Sequence, residues 1–403
     1  MMRPLRGIAF MLIPLFGLVT PLLGLPAVTT RFGADGWAAV AIGQSLGAAV
    51  ATLVELGWGL NGPQKVARMT PRGTYRAAVL SLRAKLLVLL PTAPVAFTLS
   101  WLLAPTHRFD AALVSTGTAI AALSLTWVFL GKTAPGRVIA TDNGLRLLGI
   151  VAATAGLVAG ADLWVYAVVG IALPGTLSPA LALFILRREA GRVTARTSRR
   201  LLYWTLRAQW HAVSARGVSA LYIALPVTLI GIVAPGSVAV FAAGERLMRL
   251  GLSAMSIVPS AMQGWIGSSP ERGERRRRVR LAVMINATFG AIAAIAFGVA
   301  APLASSLIFT GSATIPSPLA WSFAIVVTLV ATSRATGSIA LVSIRRIDVI
   351  ARSASAGALV GVPAILLGGL VLGPVGGVLG EVAAEGTVLA VQARGLLRAG
   401  RSA

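Results

Sequence analysis

The 403-residue chain has no cysteine, which excludes disulfides, thiolate metal sites and thiol nucleophiles. Its two histidines, His107 and His211, stand in different loops and cannot build a metal site between them. Charge is scarce: 12% of residues are Asp, Glu, Lys or Arg, where a soluble protein carries roughly twice that share. Acid is scarcest, with 12 Asp and Glu against 36 Lys and Arg. Polar-apolar alternation with regular turns is lacking, which argues against a β-barrel. The pattern G-x-x-x-x-G-K-[ST] does not occur, so direct drive by ATP within the chain is excluded.

What the chain does have is apolar sequence, 56% of it, recurring from end to end. Many of the runs reach the about 20 residues that a helix needs to cross a bilayer. The sequence therefore predicts an all-α polytopic membrane protein. Twelve spans are expected, near 7–29, 36–60, 84–104, 110–131, 145–160, 163–186, 212–233, 237–264, 281–307, 317–342, 353–371 and 375–393. The first follows Arg3 and Arg6 as a signal peptide would, but it is too long for one and no A-x-A-like site follows, so it reads as a span.

Lys and Arg sort into alternate loops. One side collects Arg3 and Arg6, then 65–85, 132–146, 187–207, 272–280, 345–352 and 394–401, and the other holds Arg31 and Arg108. The positive-inside rule makes the rich side cytoplasmic and puts both termini there, in a multi-pass protein of the cell membrane. The runs RREAGRVTARTSRR (187–200) and ERGERRRRVR (271–280) have no interleaved aromatics and no soluble domain around them. They read as topology determinants that attract anionic lipid, and no nucleic-acid partner is expected.

The long basic connection 187–211 divides the chain into an N-terminal six-helix lobe, 1–186, and a C-terminal six-helix lobe, 212–403. An internal repeat supports the division. WAAVAIGQSL (37–46) aligns with VAVFAAGERL (238–247) at an offset of 201. Ala38, Ala41, Gly43 and Leu46 match Ala239, Ala242, Gly244 and Leu247, and Gln44 aligns with Glu245. Two lobes in the same orientation are related by a pseudo-two-fold axis along the membrane normal and are expected to enclose a central cavity.

The stretch GWGLNGPQKVAR (57–68) closes the second expected span. Gly57 and Gly59 permit close helix contact, Trp58 suits the membrane interface, and Pro63 is expected to stop the helix. This stretch resembles the signature that closes the second helix of oligosaccharide flippases, which belong to the multidrug/oligosaccharidyl-lipid/polysaccharide exporter superfamily. TWVFLGKTAPGRVIATDNGLR (126–146) looks like the end of that family's fourth helix and the opening of its fifth. VAVFAAGERLMRL (238–250) is similar to the start of its eighth. The resemblance implies a Wzx-like, O-antigen or polysaccharide flippase. Its substrate would be an oligosaccharide on a polyprenyl pyrophosphate, moved by alternating access to the outer leaflet for surface polysaccharide synthesis. Unlike the lipid II branch, the first span here has no arginine at mid-membrane, which argues against lipid II.

A charge at mid-bilayer costs at least about 2.5–3.5 kcal/mol, so each one in a span needs a partner or water. Glu245, Arg246 and Arg249 fall in the eighth span, Arg334 in the tenth, and Glu381 and Glu385 one turn apart in the twelfth. Arg216 stands a turn into the seventh, and Gln44 and Glu55 in the second. Arg246, Arg249, Arg334, Arg216 and Gln44 are expected to bind pyrophosphate and glycan, since guanidinium forks match phosphate oxygens. Glu381, Glu385, Glu245 and Glu55 are the expected coupling or gate carboxylates, with a proton or sodium as the coupling ion where transport is coupled. The spacing equally allows an internal Glu245–Arg249 pair. No cofactor and no metal are expected, and the partners implied are a polysaccharide polymerase or glycosyltransferases. Two rival functions follow from the same features. One is a multidrug or small-solute antiporter of the same superfamily. The other is a polyprenyl-dependent glycosyltransferase or polymerase, against which the short outer loops and single Asp35, Asp110 and Asp162 argue, so no enzyme is expected.

Overall fold

The computed structural model describes residues 13–401 apart from 14, 15, 18, 194–197, 256–261, 263–265, 267–271 and 345. At 60, 210–222, 272, 275, 276 and 399–401 it describes the backbone only. Regular structure among the described residues is entirely helical. Among the described residues, eight helices are long and apolar enough to cross a membrane. The protein is a polytopic all-α membrane protein. The start of the first expected span, 7–12 with 14, 15 and 18, and most of the end of the eighth lie outside the described residues. The chain forms two compact units, Met1–Ala224 and Leu225–Ala403.

The first unit is built on α1 (Leu25–Glu55), with α3 (Pro71–Leu103), α4 (Arg108–Ile120), α6 (Pro135–Val158) and α7 (Tyr166–Ala190) around it. Small residues bring α1 and α4 together. A Cβ on Gly43 would fall 2.4 Å from Ala111 O, and one on Gly47 2.5 Å from Ser115 O. With no hydrophobic force between helices in lipid, such close backbone approach is what holds them. On α3, Leu87, Leu90, Val95 and Leu102 face outward, a surface that lipid and not water solvates. After the basic connection, α8 (Arg199–Ala224) packs on α1 and α3, and Ser45 Oγ donates to Ala224 O at 2.6 Å.

Two local expectations change. α1 does not stop at Pro63. It ends at Leu56 and Gly57, both left-handed (φ 52° and 73°), and α2 (Trp58–Ala67) resumes with Pro63 inside it. Here two successive left-handed residues break the helical hydrogen-bond ladder before the proline is reached. The stretch 132–146, expected as a loop, is helical from Pro135, because a π turn at Ile139–Asn143 joins it to the helix beyond.

The second unit contains α9 (Pro226–Val233), α10 (Val238–Met255), α11 (Arg272–Ile308), α12 (Ser317–Leu341) and α13 (Ile347–Arg401). α13 turns back on itself at Gly373 (φ 60°), just before Pro374. Its two arms coincide with the expected spans 353–371 and 375–393. They pack closely where Gly361 meets Ala384 and Gly368 meets Gly376. The repeat glycines serve different contacts, since Gly43 lies on the backbone of α4 whereas Gly244 lies against the ring of Phe323.

Candidate functional site

The fourth span of the first unit is discontinuous. α4 runs to Ile120, a single 3-10 turn follows at Ala121–Leu123, Ser124 is extended (ψ 140°), and α5 (Thr126–Gly131) starts afresh. A break of this kind leaves main-chain carbonyls without their helical partners, and inside a membrane protein they need other donors. Two cations from neighbouring helices supply them. Lys85 of α3, only 1% exposed, donates from Nζ to Ala122 O at 2.7 Å and Ser124 O at 2.9 Å. Arg146 of α6 donates from Nη2 to Ala121 O at 3.2 Å. Arg146 is itself held by Asp142 one turn earlier, Nε to Oδ2 at 3.0 Å and Nη2 to Oδ1 at 3.2 Å. Asp142 also accepts from Ser178 Oγ of α7 at 2.8 Å.

Beside this break opens a cavity of about 520 Å³. Glu55, Lys85, Asp142 and Arg146 stand on its wall with the hydroxyls of Thr52, Thr118, Ser124 and Thr126. The volume lies in the range of small-molecule sites. Glu55 is exposed at the last position of α1, its carboxylate lying over Gly59, where a Cβ would fall 2.3 Å from Oε1. Trp127 of α5, on the cavity wall, stacks on Trp58 of α2 with ring centroids 5.1 Å apart. Gln44 is half-buried on α1, a turn before Ala48, and continues the helical face on which Ala48, Thr52 and Glu55 line the cavity.

The second unit gathers most of the other expected residues. Glu245, 2% exposed, is paired with Arg249 one turn on, at 2.5 Å (Nε–Oε2) and 3.1 Å (Nη2–Oε1). Glu381 of α13, 7% exposed, lies against Glu245, and Arg249 is within the field of both Glu381 and Glu385. Glu385 accepts from Ser333 Oγ of α12 at 3.4 Å. Arg334 is exposed and donates to Leu252 O of α10 at 2.8 Å. Arg246 is half-buried on α10. One helical turn further, Thr336 hydrogen-bonds Gln392, which donates in turn to Ser353 Oγ at 3.4 Å. The side chain of Arg216 lies outside the described residues.

Glu245, Arg249, Arg334, Glu381 and Glu385 thus form one network in the second unit, while Glu55 and Gln44 belong to the first. Reading the sequence missed Lys85, Asp142, Arg146 and Ser178, having treated the first three as loop charges or helix openings. Two signals were present: Ser81 and Lys85 four apart in an apolar run, and Asp142 and Arg146 four apart in TDNGLR.

The sequence matches no family model and no curated protein. Solved structures do match, at full length. The inward-facing conformation of a multidrug resistance MATE family transporter of the MOP superfamily superposes with a TM-score of 0.60 at 15% identity, covering 97% of this chain and 96% of that one. The chain shares the fold of that transporter. The lipid II flippase MurJ, in an inward closed conformation, gives a TM-score of 0.65 at 12% identity, with 97% and 87% covered. A point mutant of the Vibrio cholerae MATE transporter VcmN gives 0.52 at 18% identity, with 99% and 98% covered. At these identities the likeness is one of MOP fold. It joins this chain to carriers of two quite different cargoes.

Proposed function

We propose that the chain is a flippase that carries a polyprenyl-pyrophosphate-linked oligosaccharide from the cytoplasmic to the outer leaflet for surface polysaccharide synthesis. The observation that carries this reading is the cavity of the first unit, a hydroxyl-lined, charge-bearing chamber set among membrane-spanning helices. Polar groups are retained inside a membrane protein where a hydrophilic ligand must pass. A fold shared with a lipid II flippase supports the same reading. In this reading Arg246, Arg249 and Arg334 hold the pyrophosphate, and Glu381 and Glu385 take part in coupling to a proton or sodium ion. The protein works as a transporter and not as an enzyme, with both termini in the cytoplasm and with glycosyltransferases or a polymerase as its pathway partners.

A second reading, export of a cationic small solute, is favoured by the exposed carboxylate of Glu55 and by the likeness to multidrug MATE transporters. Deletion of the gene in its host separates the two. The flippase reading expects surface glycan to disappear and lipid-linked oligosaccharide to accumulate on the inner leaflet, both reversed by the intact chain. Normal surface glycan together with increased sensitivity to cationic drugs would overturn it in favour of the antiporter.

A further inference from the structure

We infer that the cavity of the first unit receives the saccharide part of the ligand, a polyhydroxyl group that is uncharged or cationic, and not its phosphate, with Glu55 as the accepting group. The inference rests on the flippase reading and narrows it. It follows from counting donors and acceptors on the cavity wall. A phosphate offers only acceptors, so its site must present free donors or an unmatched cation.

The donors on this wall are largely committed. Lys85 gives two of its three N–H groups to Ala122 O and Ser124 O and is nearly inaccessible. Arg146 gives Nε and Nη2 to Asp142 and Ala121 O, and the bidentate carboxylate matches its charge, although Nη1 is left over. The hydroxyls donate inward as well. Thr52 Oγ1 bonds Ala48 O at 3.0 Å, Thr118 Oγ1 bonds Val114 O at 2.8 Å, and Ser124 and Thr126 share one bond at 2.5 Å, which leaves one of their two O–H groups as a donor. Each of these oxygens keeps a lone pair for a donor from outside.

What remains toward the cavity is mostly acceptor. Glu55 is the clearest case, being exposed and making no hydrogen bond or ion pair among the described residues. Of the four charges, Asp142 and Arg146 neutralise each other, and Lys85, though held only by neutral carbonyls, is nearly inaccessible, so the accessible charge a ligand meets is that of Glu55. Sugar hydroxyls and ammonium groups are donors and complement such a wall. A pyrophosphate would face the Glu55 carboxylate as a like charge.

The absence of native cysteine makes the sign of the local charge measurable. Thr52→Cys places one thiol on the cavity wall, three residues before Glu55. The full chain, purified in nanodiscs of neutral lipid, is reacted with a trimethylammonium-ethyl or a sulfonatoethyl methanethiosulfonate, each rate being referred to that reagent's rate with a free thiol. The cationic reagent should win by roughly tenfold, the effect of one nearby charge at intermediate dielectric. Glu55→Gln in the same background should bring the ratio close to one. Equal rates, a faster anionic reagent, or a ratio that Glu55→Gln leaves unchanged would overturn the inference. Glycan export is assayed separately with the intact chain. Export with an anion-preferring cavity sinks this inference alone, and a cation-preferring cavity in a chain that exports no glycan sinks the flippase reading.

Discussion

Lys85 Nζ donates to Ser124 O across 2.9 Å, tying α3 to the point where the fourth span loses its helical hydrogen bonds. A second bond, to Ala122 O, makes one ammonium the partner of two stranded carbonyls. A charge this deeply buried needs compensation, and here the two carbonyls freed by the break supply it.

Lys85→Met keeps the length of the side chain and removes the donor. Two buried carbonyls are then unsatisfied, at about 1–3 kcal/mol each. Thermal unfolding of the purified protein should show a clear loss of stability, equivalent to about 2–6 kcal/mol. Lys85→Arg should recover part of it. An unchanged melting temperature in Lys85→Met would mean that the break is held by other contacts.

Gly43 and Gly59 separate structural from functional crowding on neighbouring helices. A methyl group at Gly43 would meet a main-chain oxygen, Ala111 O, which cannot move alone. At Gly59 it would meet the far end of the Glu55 side chain, which can swing aside. Gly43→Ala should lower the amount of protein in the membrane. Gly59→Ala should leave that amount near normal and reduce glycan export per molecule by displacing the carboxylate. Quantitative immunoblotting of membranes alongside surface-glycan staining decides it. Equal abundance of the two variants would contradict the packing argument.

Arg249 and Arg246 differ in what they are tied to. Arg249 neutralises the buried Glu245, against which Glu381 also lies. Arg249→Ala should therefore cut membrane abundance severalfold, because it leaves a buried carboxylate without its cation. Adding Glu245→Gln should restore abundance, and export per molecule by the rescued double variant then reports whether the guanidinium also serves the ligand. Export by Arg246→Ala, normalised to its abundance in the membrane, tests the ligand role of the second guanidinium. Should Arg249→Ala accumulate normally without the second change, the pair is not what stabilises α10 against α13.

The sequence by itself determined the solvent and the class. Apolar runs of spanning length, interrupted by basic loops, leave helices in a bilayer as the physical solution, since only a helix or a closed barrel satisfies its backbone there. Local pairs were legible too. Glu245 and Arg249, or Asp142 and Arg146, are neighbours because a helix brings residues four apart onto one face, whatever the rest of the chain does. Most of the expected intramembrane charges were named for the same reason, as an ionisable residue in an apolar run stands out.

The tertiary structure alone decided which of these charges are available. Lys85 reads as a basic residue at the foot of a span, yet its partners lie 37 and 39 positions away, at a break that LSLTW announces with neither glycine nor proline. Ser178 reaches Asp142 across 36 positions and Ser333 reaches Glu385 across 52. A carbonyl becomes an acceptor in need of a cation only when its own helix fails to supply the N–H four residues on. That failure is set by the backbone angles at Ser124, which the packing of α1, α3, α4 and α7 around the turn holds in place, together with the Ser124 hydroxyl that accepts from Thr126 N–H at 3.3 Å.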